Sequence, residues 1–152
     1  MKRYFEVVGE YEELPLLERP RLPMRQTAGS AGYDFYNMYD VTIPAQKEVK
    51  IRTGIKVCMP KDEYLALFMR SSMGIKHHLR LVNCVAVIDS DYYNNEDNEG
   101  EIIAVVRNEG EEAFTIYRGE RFLQGVFTKY CVVDDDDVKG VRKGGTGSTS
   151  TD

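Results

Sequence analysis

Asp89 and Asp91 stand at i and i+2 in the run Asn83-Cys84-Val85-Ala86-Val87-Ile88-Asp89-Ser90-Asp91-Tyr92. On a continuing strand the two carboxylates share one face, where one can serve as general base on a water and the pair can favour a divalent cation. Asp-Ser-Asp is equally good turn chemistry, so the residues alone leave both readings open. Arg70-Ser71-Ser72 closes an apolar run and enters a possible helical turn. An arginine fork, two hydroxyls and unpaired backbone N–H groups suit phosphate oxygens; a helix start with a surface arginine is the plainer alternative. In Gly29-Ser30-Ala31-Gly32-Tyr33-Asp34 small residues let backbone approach backbone or ligand, or simply turn into a strand. Gly119-Glu120-Arg121-Phe122-Leu123-Gln124 reads as a turn and a strand carrying Arg121 and Gln124, and a buried Gln124 amide would need partners. Arg142-Lys143-Gly144-Gly145-Thr146-Gly147-Ser148-Thr149 combines two cations with glycines and hydroxyls that can wrap a phosphate chain. It is neither a P-loop, since no Lys-Ser or Lys-Thr follows the second glycine, nor a dinucleotide fingerprint, which needs a strand–helix context.

These residues need a scaffold, and the rest of the chain reads as short strands. Runs at 3–8, 41–43, 54–59, 64–69, 79–83, 86–88, 101–107, 113–117 and 121–130 are rich in Val, Ile, Tyr and Phe, with Pro, Gly, Asn or Asp between most of them. That spacing predicts an all-β, single-domain sandwich or barrel. Helical stretches of the length a parallel α/β fold needs are missing, and only 71–76 can hold a helical turn or two. In 101–107 both alternating faces are apolar, which predicts a central strand or one facing another subunit. The segment 93–99 is polar and acidic, 134–137 is an acid run, and 140–152 has too little apolar content to pack alone. The chain therefore divides into a β domain over 1–133 and a flexible arm over 134–152.

Composition narrows the function classes. Lys plus Arg number 20 and Asp plus Glu 25, a net charge of −5 over 152 residues. That argues against a nucleic-acid polymer or an anionic membrane as a general electrostatic partner. No apolar run approaches the roughly 18 residues of a membrane span, and the first residues meet an acid too early for a signal peptide. Cys58, Cys84 and Cys131 form no C-x-x-C pair, so free thiols in a reducing cytoplasm are expected. His77 and His78 on an extended chain would point opposite ways, a poor chelating geometry.

Taken together, in order and spacing, the five segments resemble the five motifs of the homotrimeric dUTP pyrophosphatase (dUTPase) family. The likeness runs from about residue 22 to 149. Its most specific piece is Ile88-Asp89-Ser90-Asp91-Tyr92, with Asn83 upstream and Gly100-Glu101-Ile102 downstream. The resemblance implies a jelly-roll-like β fold and hydrolysis of dUTP to dUMP and pyrophosphate with Mg²⁺ on the triphosphate. Such an activity limits uracil incorporation into DNA and supplies dUMP for thymidylate synthesis. It implies that Asp89 activates the water that attacks the α-phosphorus. Tyr92 would pack on deoxyribose, and Asn83 with the backbone of 85–88 would form a hairpin reading uracil, lined by Val85, Val87, Ile88 and Ile103. Phosphates would meet Arg70, Ser71 and Ser72 of a neighbouring subunit, Gln124, and the tail residues Arg142, Lys143, Gly145, Thr146, Gly147 and Ser148. Asp34 would support the metal through water, with no direct protein ligand. The site would be shared by three subunits, the tail coming from the third.

The chain also departs from the family pattern. Ala86 replaces a usual glycine, tolerable where φ is negative. Between Tyr92 and Gly100, residues 93–99 make seven where one is usual, an insertion expected as an exposed hairpin tip beside the site. Thr146 replaces a phenylalanine that stacks on uracil, so substrate binding should be weaker than under an aromatic lid. Val141 holds the usual arginine position, leaving Arg142 or Lys143 to reach the γ-phosphate. Two alternatives follow. One is a regulatory protein-binding module using the exposed loop Tyr93 to Glu99; the other is a dCTP deaminase, which shares the fold but lacks this Asp-x-Asp-Tyr arrangement.

Overall fold

A computed structural model of the chain describes residues 2–145. Eleven strands, one short helix and two single 3-10 turns make up its regular structure. In chain order the strands are β1 (Tyr4–Val7), β2 (Tyr33–Tyr36), β3 (Val41–Ile43), β4 (Glu48–Arg52), β5 (Ile55–Cys58), β6 (Glu63–Met69), β7 (Leu79–Leu81), β8 (Ala86–Asp89), β9 (Ile103–Asn108), β10 (Phe114–Ile116) and β11 (Arg121–Lys129). The helix α1 is Ser71–His77.

Every strand pairing is antiparallel. A four-stranded sheet runs β2-β11-β6-β8 and a three-stranded sheet β4-β9-β7, while β1 pairs with β5 and β10 with β3. All four sheets send side chains into one core, including Phe35, Leu65, Leu67 and Phe122 from the first and Ile51, Leu79, Leu81 and Val106 from the second. This is an all-β jelly-roll arrangement without a closed barrel. The nine expected runs all contain strands, with ends shifted by a residue or two. β2 is the strand that the small-residue turn at 29–32 was read as able to enter, and one strand went unread: β4 alternates Val and Ile with Glu, Lys and Arg.

β9 is the central strand of its sheet, as its apolar content predicts. Ala104 and Val106 are buried, while Ile103 and Val105 on the other face stay half-buried. β11 is central in the larger sheet and carries an irregularity between Arg121 and Leu123. Such bulges re-aim side chains, and this one falls at Arg121.

Candidate active site

The first half of the site gathers where β9 begins. β8 pairs with β6 from Ala86 to Asp89 and stops there, because Ser90–Tyr92 folds into a 3-10 turn. The turn reading of Asp-x-Asp therefore holds: the strand ends at Asp89 and does not continue through Asp91, which sits in the turn. Their side chains are 48% and 58% exposed, open enough to meet water. Tyr92 is buried. Its O–H donates to the Glu101 carbonyl at 2.8 Å and accepts from Asn98 Nδ2 at 2.8 Å. The phenol end is thus fixed, and the ring stands beside the carboxylates.

The expected uracil hairpin is a sheet-to-sheet corner instead. β7 belongs to the β9 sheet and β8 to the β6 sheet, so the two are not hydrogen-bonded partners. Val82 N–H still donates to the Val105 carbonyl, after which Val85 N–H closes a tight turn on the Asn83 carbonyl at 2.6 Å and Cys84 takes φ +60°. The turn lies exposed, with Val85 at 40%, as does Val87 of β8 at 59%. The register of β7 on β9 runs from Val106 toward Ile103, which brings Asn83 and Val85 to the same end of β9 as Tyr92. Ile88 is partly buried and packs against the core. Ala86 is a buried strand residue opposite Leu67 without a positive φ, so its methyl is accommodated.

Arg142 closes this half. Its Nη2 lies 2.6 Å from Asp89 Oδ2 and its Nε 2.8 Å from Asp91 Oδ1. The guanidinium carbon stands 5.6 Å from the centre of the Tyr92 ring, and the side chain is only 8% exposed. Arg142, not the exposed Lys143, is the tail cation that reaches the site. Gly140 and Val141 stay exposed, in line with the low apolar content of 140–152, whereas Arg142, Gly144 and Gly145 are packed, Arg142 through an ion pair in place of apolar contact. In the single chain this arginine meets its own Asp89, where a tail from another subunit was expected. Thr146, Gly147 and Ser148 lie outside the described residues.

The second half is a cleft of about 580 Å³ lined by Ser30, Asp34, Arg70, Ser71, Ser72, Arg121 and Gln124, among others. Asp34 is buried and each of its oxygens is taken by an arginine: Oδ1 by Arg70 Nε and Oδ2 by Arg121 Nη1, both at 3.1 Å. Arg70 also donates to the Arg121 carbonyl at 3.2 Å. Asp34 therefore aims two guanidinium groups at the cleft, a task its sequence position did not reveal and one that competes with the expected support of metal-bound water. Gln124 lies across the strands from Asp34, and its side chain makes no hydrogen bond to any described residue. Gly32 leaves room for it, since a Cβ there would come within 2.6 Å of Gln124 Oε1. Ser71 and Ser72 open α1, with Arg70 in extended conformation as its N-cap.

Both halves hang on β6, at opposite ends. Tyr64, the partner of Asp89, and Arg70 are six residues apart, about 20 Å along a strand at ~3.3 Å per residue.

Sequence reasoning missed the network beneath the first half. Glu101 is 1% exposed and was read only as part of a motif. Its carboxylate accepts from Gly54 N–H at 3.0 Å and pairs with Arg52 at 2.6 Å, while its carbonyl holds Tyr92. The bond to Glu101 holds the Arg52 guanidinium above its ordinary pKa. The insertion is likewise no free tip. Asn95 is buried, donating to the Tyr92 carbonyl and accepting from the N–H groups of Asp97 and Asn98. Gly100 closes it at φ +83°, where a Cβ would strike the Tyr92 carbonyl at 2.5 Å. His77 and His78 end α1 instead of lying extended, with His77 stacked on Phe114 and His78 at φ 55°. Cys58, Cys84 and Cys131 are free. Among the described residues no helix is long and apolar enough to cross a membrane.

Comparison with known proteins agrees with this geometry. The dUTPase family model matches residues 18–151. The chain is similar to the deoxyuridine 5'-triphosphate nucleotidohydrolase of Lactococcus lactis subsp. lactis, with 44% identity over 150 residues and 97% of each chain covered. It is 38% identical over 138 residues to the enzyme of that name from Desulfitobacterium hafniense, covering 86% of this chain and 87% of the other. The crystal structure of dUTPase from Streptococcus mutans superposes with a TM-score of 0.77 at 40% identity, covering 86% of this chain and 98% of that one. With the motif residues gathered on a jelly-roll scaffold and these likenesses spanning nearly its whole length, the chain belongs to the dUTPase family.

Proposed function

We propose that the chain hydrolyses dUTP to dUMP and pyrophosphate, with Asp89 as the general base. The observation that carries this reading is the half-exposed Asp89 carboxylate, fixed at a strand end beside the Tyr92 ring and met by a guanidinium. Asp89 takes a proton from a water whose oxygen forms a bond to the α-phosphorus. The bond from that phosphorus to the α,β-bridging oxygen breaks, and pyrophosphate leaves with the electron pair. A fixed carboxylate suits this step because it needs only to hold the water in line and accept its proton. Tyr92, pinned through its hydroxyl, presents its ring to deoxyribose; the 83–85 corner with Val87, Ile88 and Ile103 receives uracil. Arg70, Arg121, Ser71, Ser72 and Gln124 hold phosphates.

Each chain carries both halves about 20 Å apart along one strand, farther than a triphosphate reaches. The working site is therefore shared in a homotrimer, the Asp89 half of one subunit facing the Arg70 cleft of another, with residues 134–152 as the arm that covers it. The half-buried Ile103 and Val105 face of β9 is suited to subunit contact.

Among the described residues no three His, Cys, Asp or Glu side chains are grouped to hold a metal ion. A hydrated Mg²⁺ carried on the triphosphate oxygens would neutralise phosphate charge there. The test follows pyrophosphate and ammonia separately after adding dUTP or dCTP with Mg²⁺. Pyrophosphate from dUTP alone is expected, and Asp89→Asn should lower its rate at least ~10²-fold with the fold intact. Ammonia release from dCTP, or a near-normal rate in Asp89→Asn, would count against the reading.

A further inference from the structure

The insertion 93–99 has a partner within the molecule, the chain's own arm. From 134 to 145 the arm runs exposed, with Val138 at 83% and Val141 at 84%, until Arg142 and the buried Gly144 and Gly145. Gly145 N–H donates to Asp97 Oδ2 at 2.7 Å. Asn98 lies against the same glycine, where even a Cβ would meet its amide at 3.7 Å. The insertion is built to hold these groups still: Asn95 Oδ1 accepts from the backbone N–H of both Asp97 and Asn98, and Asn98 Nδ2 is tied to the Tyr92 hydroxyl. Three residues before Gly145, Arg142 spans Asp89 and Asp91 and also reaches the Gly145 carbonyl at 3.4 Å.

We infer that the insertion is a dock for the arm, with Asp97 as a positioning residue that fastens Gly145 and thereby places Arg142 at the Asp89 site. The dock occupies the loop where a free surface for another protein was expected, and it anchors the arm one residue before Thr146, where the aromatic lid is missing. Without ligand, the fastened arm rests its guanidinium on the carboxylate pair. When a triphosphate arrives, Arg142 exchanges those carboxylates for phosphate oxygens while Gly145 stays held. This last consequence rests on the proposed hydrolysis of dUTP; the dock itself does not.

The experiment uses the full chain and three versions of residue 97: wild type, Asp97→Ala and Asp97→Asn, which keeps an acceptor oxygen. Limited trypsin digestion without ligand reads cleavage after Arg142 and Lys143 against cleavage after the exposed Lys139. Asp97→Ala is expected to speed the former severalfold, and Asp97→Asn to remain near wild type. With dUTP and Mg²⁺, Asp97→Ala should raise KM roughly 2- to 10-fold, the range one hydrogen bond commands, with kcat little changed. Wild-type protection in Asp97→Ala, or equal release in both variants, overturns the dock. Release without a change in KM overturns the positioning role. Should wild-type protein leave dUTP intact, the proposed reaction fails, and the digestion still decides whether the dock exists.

Discussion

Asp34 stands behind a turn of small residues, and its chemistry comes from what its two oxygens hold. A buried carboxylate is costly unless paired, and pairing with both Arg70 and Arg121 satisfies it while fixing two guanidinium groups at the rim of one cleft. Gln124 completes that wall only because Gly32 leaves its amide space. Gly32→Ala therefore makes a clean test. The clash falls mainly on the end of a flexible side chain, so thermal stability should change little. Gln124 must turn aside, and KM for dUTP should rise roughly 2- to 10-fold, as for the loss of one hydrogen bond. Steady-state kinetics alongside a melting curve separates the two effects; a large fall in melting temperature with KM unchanged would show that the glycine serves packing alone.

At the level of elements, the insertion shows how a polar segment is ordered without a hydrophobic core. Asn95 replaces backbone pairing with its own amide, an Asx-type arrangement that satisfies three neighbours. The base of the loop is tied by Glu99, which accepts from Gly9 N–H and Lys56, and by Tyr93, whose O–H donates to Glu6. The Gly9 N–H, aided by Lys56, holds the Glu99 carboxyl below its usual range. Its contribution is thus present above the unfolded glutamate pKa and lost as pH falls through the lower folded value. The hydrogen bond to Glu6, with burial, pushes the Tyr93 phenol well above its ordinary pKa, so it stays protonated and donating at neutral pH. Asn95→Ala should cost about 1–3 kcal/mol, because it strips partners from buried polar groups. Thermal or urea unfolding would read that loss, and an unchanged midpoint would mean that the loop folds independently of this side chain.

Across the whole molecule, the decisive quantity is the distance of about 20 Å along β6 between Asp89 and the Arg70 cleft. Two inactive variants, Asp89→Asn and Arg70→Ala, should restore activity when co-assembled, since roughly a quarter of shared sites in a random mixture would draw both intact halves. No recovery on mixing would place the whole reaction within one chain. Much of this protein was legible beforehand. Strand content, the single short helix and the five candidate segments followed from periodicity, turn residues and side-chain chemistry, all local properties. The resemblance then supplied their expected roles. What stayed hidden depended on residues far apart in the chain: Asp34 between arginines 36 and 87 positions away, Glu101 beneath Tyr92 on Arg52, and the 83–85 segment as a corner between sheets. The choice of Arg142 over Lys143 was of the same kind. Sequence determined which groups were available and which short segments would extend or turn, because those depend on neighbours along the chain. Only the tertiary structure decided which carboxylate met which cation, because burial and charge pairing are settled by packing between distant segments.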